Sequence, residues 1–242
     1  MMDYLLLGLT GLATSMFAGI TGLGGGMLLL ASLPMFLPVH AIIPVHGVAQ
    51  LASNLSRSIL AIRHLAWQFL PAFLLGSLVG ILLAWQVLAY IDAQWLPLCI
   101  GGYILCHVWW PAFKRTMSKY ENFFIIGVVQ TGLNPIVGAT GPLTTTLVMA
   151  RLKSREAIVS TNAILMSFSH ISKIALFTLV GFEYRQYWLE VLILCLAAIA
   201  GSYLGTLVRR RIDGERFIVM LKVLLTLLAA RMIITTIWQA FS

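Results

Sequence analysis

Two apolar stretches, about 4–33 and about 122–150, are each interrupted by small residues near the centre, and no other feature constrains the fold as much. The first break reads Gly22-Leu23-Gly24-Gly25-Gly26 and the second Gly138-Ala139-Thr140-Gly141-Pro142. At 1.5 Å per residue, about 30 residues make a straight helix of ~45 Å. That is long for one crossing of a ~30 Å hydrocarbon core and short for two. A helical hairpin broken at its centre, entering and leaving on one side, fits both facts. Irregular backbone at that depth needs protein or a cavity around it.

A helix with a polar stripe follows each break, and the two stripes register. At a constant offset of 116 residues (46 to 162), His46 aligns with Asn162, Ser53 with Ser169, Asn54 with His170 and Arg57 with Lys173. In the first stripe His46, Gln50, Ser53, Asn54 and Arg57 recur every three or four residues, hence on one helical face. Asn162, Ser169, His170 and Lys173 do the same in the second, with Met166 in place of Gln50.

The chain is 60% hydrophobic and 10% charged, where a soluble domain carries about 25% charged residues. Lipid is therefore the expected solvent, and no soluble domain or cleaved signal peptide is expected. Ordinary membrane helices are predicted at 41–62, 66–89, 94–113, 157–181, 187–209 and 215–238. Cys99, Cys106 and Cys195 lie in apolar segments and read as packing residues rather than metal ligands. The net charge of +8 sits in short loops, which indicates membrane orientation rather than nucleic-acid binding.

Loop charge counts the crossings. With both interrupted stretches re-entrant, one face carries Arg63, Lys114, Arg115, Lys119, Arg151, Lys153, Arg155, Arg209, Arg210, Arg211 and Arg216, and the other only Arg185. With both stretches crossing, the bias nearly vanishes. The positive-inside rule selects two elbows and six crossings, with both termini outside. The expected fold is an all-α polytopic membrane protein of two inverted repeats, each a re-entrant broken-helix elbow plus three transmembrane helices. The repeats cover 1–120 and 121–242. Lys222 lies close enough to the inner end to snorkel, while Arg231 has no assigned role.

All eight acidic residues, Asp3, Asp92, Glu121, Glu156, Glu183, Glu190, Asp213 and Glu215, fall in or near loops. Cation carriers and proton relays usually place a carboxylate in the membrane. Arg57 and Lys173 offer positive charge instead, and half-helix N-termini add donors. The expected site for a small oxyanion comprises Arg57, Lys173, His46, Gln50, Ser53, Asn54, Asn162, Ser169, His170, Thr21, Gly24, Gly25, Asn134, Thr140 and Gly141. Thr144 and Thr145 are further donors. Alternatives stay open: snorkelling by Arg57 or Lys173, packing by the hydroxyls and glycines, and helix-to-helix contacts by His46 and His170. Gly76-x-x-x-Gly80 and Gly201-x-x-x-Gly205 are assigned to close packing.

These residues carry a resemblance. FAGITGLGGGMLLLASLP, followed by the HGVAQLASNLSRSILAIRHLAW helix, and the copy NPIVGATGPLTTTLVMARLKSREAIVSTNAILMSFSHISKIALFTLVGF resemble the TauE/SafE sulfite exporter family. GSLVG and GSYLG fit as well, so the likeness spans nearly the whole chain. It implies a permease of the bacterial inner membrane for sulfur-containing anions such as sulfite, thiosulfate or organosulfonates. The second elbow departs from the family's Gly-Gly-Gly turn with GATGP, which leaves the substrate open.

The expected function is a secondary transporter exporting such an anion by alternating access, aided by the ~2.3 kcal/mol per charge that 100 mV of outside-positive potential supplies. An uncoupled anion channel on the same scaffold is the alternative. No nucleophile with a base and no His-Glu-x-x-His helix argues for an enzyme, and no cofactor or metal is expected. The partners are the anion and the lipid bilayer, with proton coupling through His46, His170 or Lys173 and a homodimer both open.

Overall fold

A computed structural model of the chain describes residues 2–22, 24–88, 90, 92–112, 122–209 and 214–241. Leu23 of the first break, and Lys114, Arg115, Lys119, Glu121, Arg210, Arg211 and Asp213 of the loop-charge argument, lie outside the described residues, as do the side chains of Glu215 and Arg216. The described residues form ten α-helices: α1 (Met2–Thr21), α2 (Gly25–Ser32), α3 (Val39–Leu60), α4 (Leu70–Leu88), α5 (Leu96–Trp109), α6 (Phe123–Val137), α7 (Gly141–Arg151), α8 (Arg155–Leu179), α9 (Trp188–Val208) and α10 (Gly214–Phe241). Short 3-10 turns link several of them, and no strand occurs among the described residues. The protein is an all-helical, polytopic membrane protein.

Among the described residues, four helical stretches are long and apolar enough to cross a membrane: Met2–Thr21, Trp67–Leu88, Arg155–Leu179 and Tyr184–Val208. With 22 residues, α3 has the length as well, but its polar stripe lowers its hydropathy. Exposed Leu75, Leu78, Leu82, Leu196, Ile199 and Leu207 give α4 and α9 outer faces suited to lipid.

Both interrupted stretches fold back on themselves. Gly22 and Gly24 take positive φ angles of 84° and 86°, and Gly138 takes 74°, a region that only glycine enters freely. Gly25 then lies against Thr14 and Ala18 of α1 so closely that a Cβ would overlap the Thr14 carbonyl. A straight helix would separate Gly25 from Thr14 by roughly 16 Å. In the second stretch the Thr140 hydroxyl donates to the Gln130 carbonyl at 3.2 Å, ten residues back along α6. The arms are unequal: 20 and 8 residues in the first hairpin, 15 and 11 in the second. Protein encloses the short arm α2, whose Met27, Leu28, Leu29, Leu30 and Ala31 are all buried.

Packing is reciprocal between the halves. Helix α1 runs alongside α9 in the same direction: Gly11 meets Leu194, Gly201 meets the Leu12 carbonyl, and Gly205 meets that of Met16. Helices α4 and α6 make the corresponding pair, with Gly76 on the Phe124 carbonyl and Gly80 on that of Val128. Small residues let these backbones touch, as expected for membrane helices. Helices α3 and α8 cross antiparallel at the centre, with Gly47 against Lys173 and the Ala66 amide, just past α3, on the Thr161 hydroxyl at 3.1 Å. Helices α5 and α10 pair antiparallel through Gly101 and Ala229 and through a 2.8 Å bond from the Trp109 indole to Thr226. His40 bonds the Tyr187 hydroxyl at 2.8 Å, which places the starts of α3 and α9 at one end of the bundle.

Candidate functional site

The stripes of α3 and α8 are buried along their length: His46, Gln50, Ser53, Asn54 and Arg57 on one, Asn162, Ser169, His170 and Lys173 on the other. The His46 and His170 rings meet edge to face at 6.0 Å between centroids. A cavity of about 40 Å³ lies between the stripes. Gly24, Gly26, His46, Gln50, Asn54 and Arg57 line it from the first half. Ala139, Gly141, Pro142, Thr145, Asn162, Met166 and His170 line it from the second. Both hairpin tips and both stripes therefore bound one space.

The two cations are committed differently. An ammonium has three N–H donors. Those of Lys173 face the Gly138 carbonyl at 3.0 Å, Asn134 Oδ1 at 3.2 Å and His46 Nδ1 at 3.4 Å. His46 Nε2 lies 2.9 Å from the Gly26 carbonyl. A carbonyl only accepts, so Nε2 carries the proton and Nδ1 is the acceptor facing Lys173. Lys173 thus has no donor left for a ligand, and it is not part of the cavity wall. Its contacts stabilise the C-terminal end of α6, where unpaired carbonyls and the helix dipole favour a cation.

Arg57 does line the cavity. Its Nε donates to the Ser53 carbonyl at 3.2 Å, Nη1 to that of Ala18 at 3.2 Å, and Nη2 to Asn54 Oδ1 at 2.6 Å. Among the described residues this takes three of the five N–H groups of a guanidinium. The remaining two can receive an oxyanion.

Donors and orphaned atoms complete the wall. The first turn of α2 begins at the cavity, and its leading amides have no intrahelical carbonyl to bond. In α7 Pro142 removes one such N–H, and Gln130 Oε1 accepts both the Thr144 amide, at 3.2 Å, and the Thr144 hydroxyl. The first hairpin is consequently the richer donor. Among the described residues Asn162 Oδ1 and His170 Nδ1 are buried without a partner, although both residues line the cavity. A buried polar atom left unpaired costs about 1–3 kcal/mol, so each is placed to bond a guest.

Of the residues expected from the sequence, Arg57, His46, Gln50, Asn54, Asn162, His170, Gly24 and Gly141 line the cavity. The others lie behind it. Ser53 bonds Ser202 of α9 at 3.0 Å. Ser169 bonds Thr131 at 3.0 Å and Gln130 at 3.1 Å. Thr21 returns its hydroxyl to the Phe17 carbonyl at 2.9 Å. Gly25 packs on α1, Thr140 bonds Gln130, and Asn134 holds Lys173.

Three functional groups escaped the sequence reading. Gln130 braces α7. Arg209 and Arg155, assigned to loop charge, reach the C-terminal end of α1: Arg209 Nε donates to the Gly19 carbonyl at 2.7 Å and Arg155 Nη2 to that of Ile20 at 2.7 Å. With Arg57 on Ala18, three guanidiniums cap α1, whereas a single ammonium serves α6. The only trace in the sequence is that Arg209 closes the predicted 187–209 span.

Among known protein families, the model described as Sulfite exporter TauE/SafE matches residues 7–232. No curated protein and no solved structure matches the chain.

Proposed function

We propose that this chain, which belongs to the TauE/SafE sulfite exporter family, exports a small sulfur-containing anion across the bacterial inner membrane by alternating access. The observation that carries this reading is the single cavity shared by both hairpins, with Arg57 holding uncommitted donors into it. A cavity of about 40 Å³ has room for about three water molecules. That scale suits a small anion. Arg57, Asn162, His170 and the first turn of α2 would hold the anion, and Lys173 contributes positive charge from behind.

Reciprocal packing supports two inverted repeats, 1–120 and 121–242, with the hairpins re-entrant, and the basic loop charge supports periplasmic termini. The test is sulfite counterflow in proteoliposomes. Saturable exchange that Arg57→Gln abolishes is expected. Undiminished exchange in that variant defeats the site, and conductance without saturation or exchange replaces the transporter with a channel.

A further inference from the structure

A second cavity, of about 360 Å³, opens at the end of the bundle where α3 and α5 begin. It shares no lining residue with the central cavity. Its walls are Pro34 and Leu37 at the exit of the first hairpin, Gln94 and Trp95 before α5, and Arg231 and Thr235 on α10. Arg231 is exposed, and among the described residues its guanidinium has no hydrogen-bond or ion-pair partner. The neighbouring polar groups satisfy each other. Thr235 returns its hydroxyl to the Arg231 carbonyl at 2.9 Å. The nearby carboxylate, Asp92, accepts from the Gln94 amide at 3.0 Å and from Gln94 Nε2 at 2.9 Å.

Ala229 and Ile233, which flank Arg231, meet Gly101, in the second turn of α5. Arg231 therefore lies about two turns below the start of that helix, within reach of the headgroup layer for a snorkelling side chain. A planar guanidinium with no partner there can take two oxygens of one anion at once. We infer that this cavity is a separate phosphate-type oxyanion site, with Arg231 as the fork and Trp95 as its apolar wall. The oxyanion is either the headgroup of a lipid in the adjacent leaflet or a free anion from the aqueous side.

The experiment uses the full chain, purified and delipidated in neutral detergent. One arm measures inorganic phosphate binding by calorimetry at low ionic strength. The other counts retained phosphatidylglycerol by native mass spectrometry. Arg231→Gln is expected to lower binding at least tenfold in one arm, with Arg231→Lys intermediate. Thr235→Trp, which fills the space and leaves the charge, should give the same loss. Loss confined to the phosphate arm identifies a free anion, and loss confined to the lipid arm a headgroup. Sulfite binding, sensitive to Arg57→Gln, should be unchanged in Arg231→Gln, which keeps this inference separable from the transport reading. Wild-type binding by Arg231→Gln in both arms, or no binding by the wild type in either, overturns it.

Discussion

Lys173 and Arg57 stand at matching positions of the two stripes, yet their environments assign them different work. Removing the Lys173 ammonium leaves the Gly138 carbonyl, Asn134 Oδ1 and His46 Nδ1 without a donor. Buried acceptors so abandoned cost about 1–3 kcal/mol each. Lys173→Met should therefore lower the thermal midpoint in detergent by at least roughly 6 °C, taking about 1 kcal/mol for each of the three acceptors and about 2 °C per kcal/mol for a chain of this size. Arg57→Gln should reduce sulfite affinity about 10- to 100-fold, the worth of one charge-assisted contact, with less than half that loss of melting temperature. A normal midpoint in Lys173→Met would show that its three contacts do not hold α6. Periodicity separates neither role, because it locates a face and not a neighbour. Arg57 and Ser53 share a face of α3, but the Ser53 hydroxyl meets Ser202 of the adjoining helix while Arg57 meets the cavity. Ser169 was assigned to the site on the same grounds and lies against Thr131.

At the level of elements, the hairpins were the most legible part of the chain, since helix length and glycine punctuation limit the solutions. Gly22 and Gly138 take the positive φ angles that a reversal requires. What periodicity could not supply was the capping of α1, because Arg155 and Arg209 read equally well as loop charge. Their side chains instead answer carbonyls that the end of α1 leaves unpaired. Arg209→Gln should destabilise the fold by about 1–3 kcal/mol, because the Gly19 carbonyl loses its guanidinium donor. Urea or thermal melts in detergent will show it, and an unchanged midpoint rejects the cap. The glycines give a paired test. A Cβ at Gly25 would overlap the Thr14 carbonyl and approach Ala18 Cβ to 2.6 Å, whereas one at Gly102 meets nothing within 4 Å. Gly25→Ala should force the arms of the hairpin apart and abolish transport. Gly102→Ala should be neutral or stabilising by up to about 1 kcal/mol, the helix preference of alanine. Wild-type flux in Gly25→Ala would mean that the hairpin is looser than its packing.

The arrangement of the whole molecule follows from where the close interfaces fall. Helix α1 packs on α9 and α4 on α6, each pair drawn from opposite halves, and the stripes of α3 and α8 also meet across the divide. Neither half can bury its own hairpin: α1 has its glycine-lined partner in α9, and α6 has its partner in α4. A half alone would lose the Arg209 and Arg155 donors on the Gly19 and Ile20 carbonyls, or the His46 acceptor of Lys173, and would expose the stripe that carries Arg57 or Lys173. Unpaired charge and backbone polarity at that depth are strongly unfavourable. If the two halves fold only as a pair, a chain cut between residues 113 and 121 should behave in a defined way. Each fragment expressed alone should be degraded or aggregate. Co-expressed fragments should co-purify with the wild-type thermal profile and recover sulfite exchange. The physical ground is that the cut severs one connection and none of the interhelical contacts described, so the loss is mainly the effective concentration that the link provides. A single fragment that resists protease in the membrane without its partner would show that the halves are independent, and that the central cavity is an interface between two separate bundles rather than the interior of one.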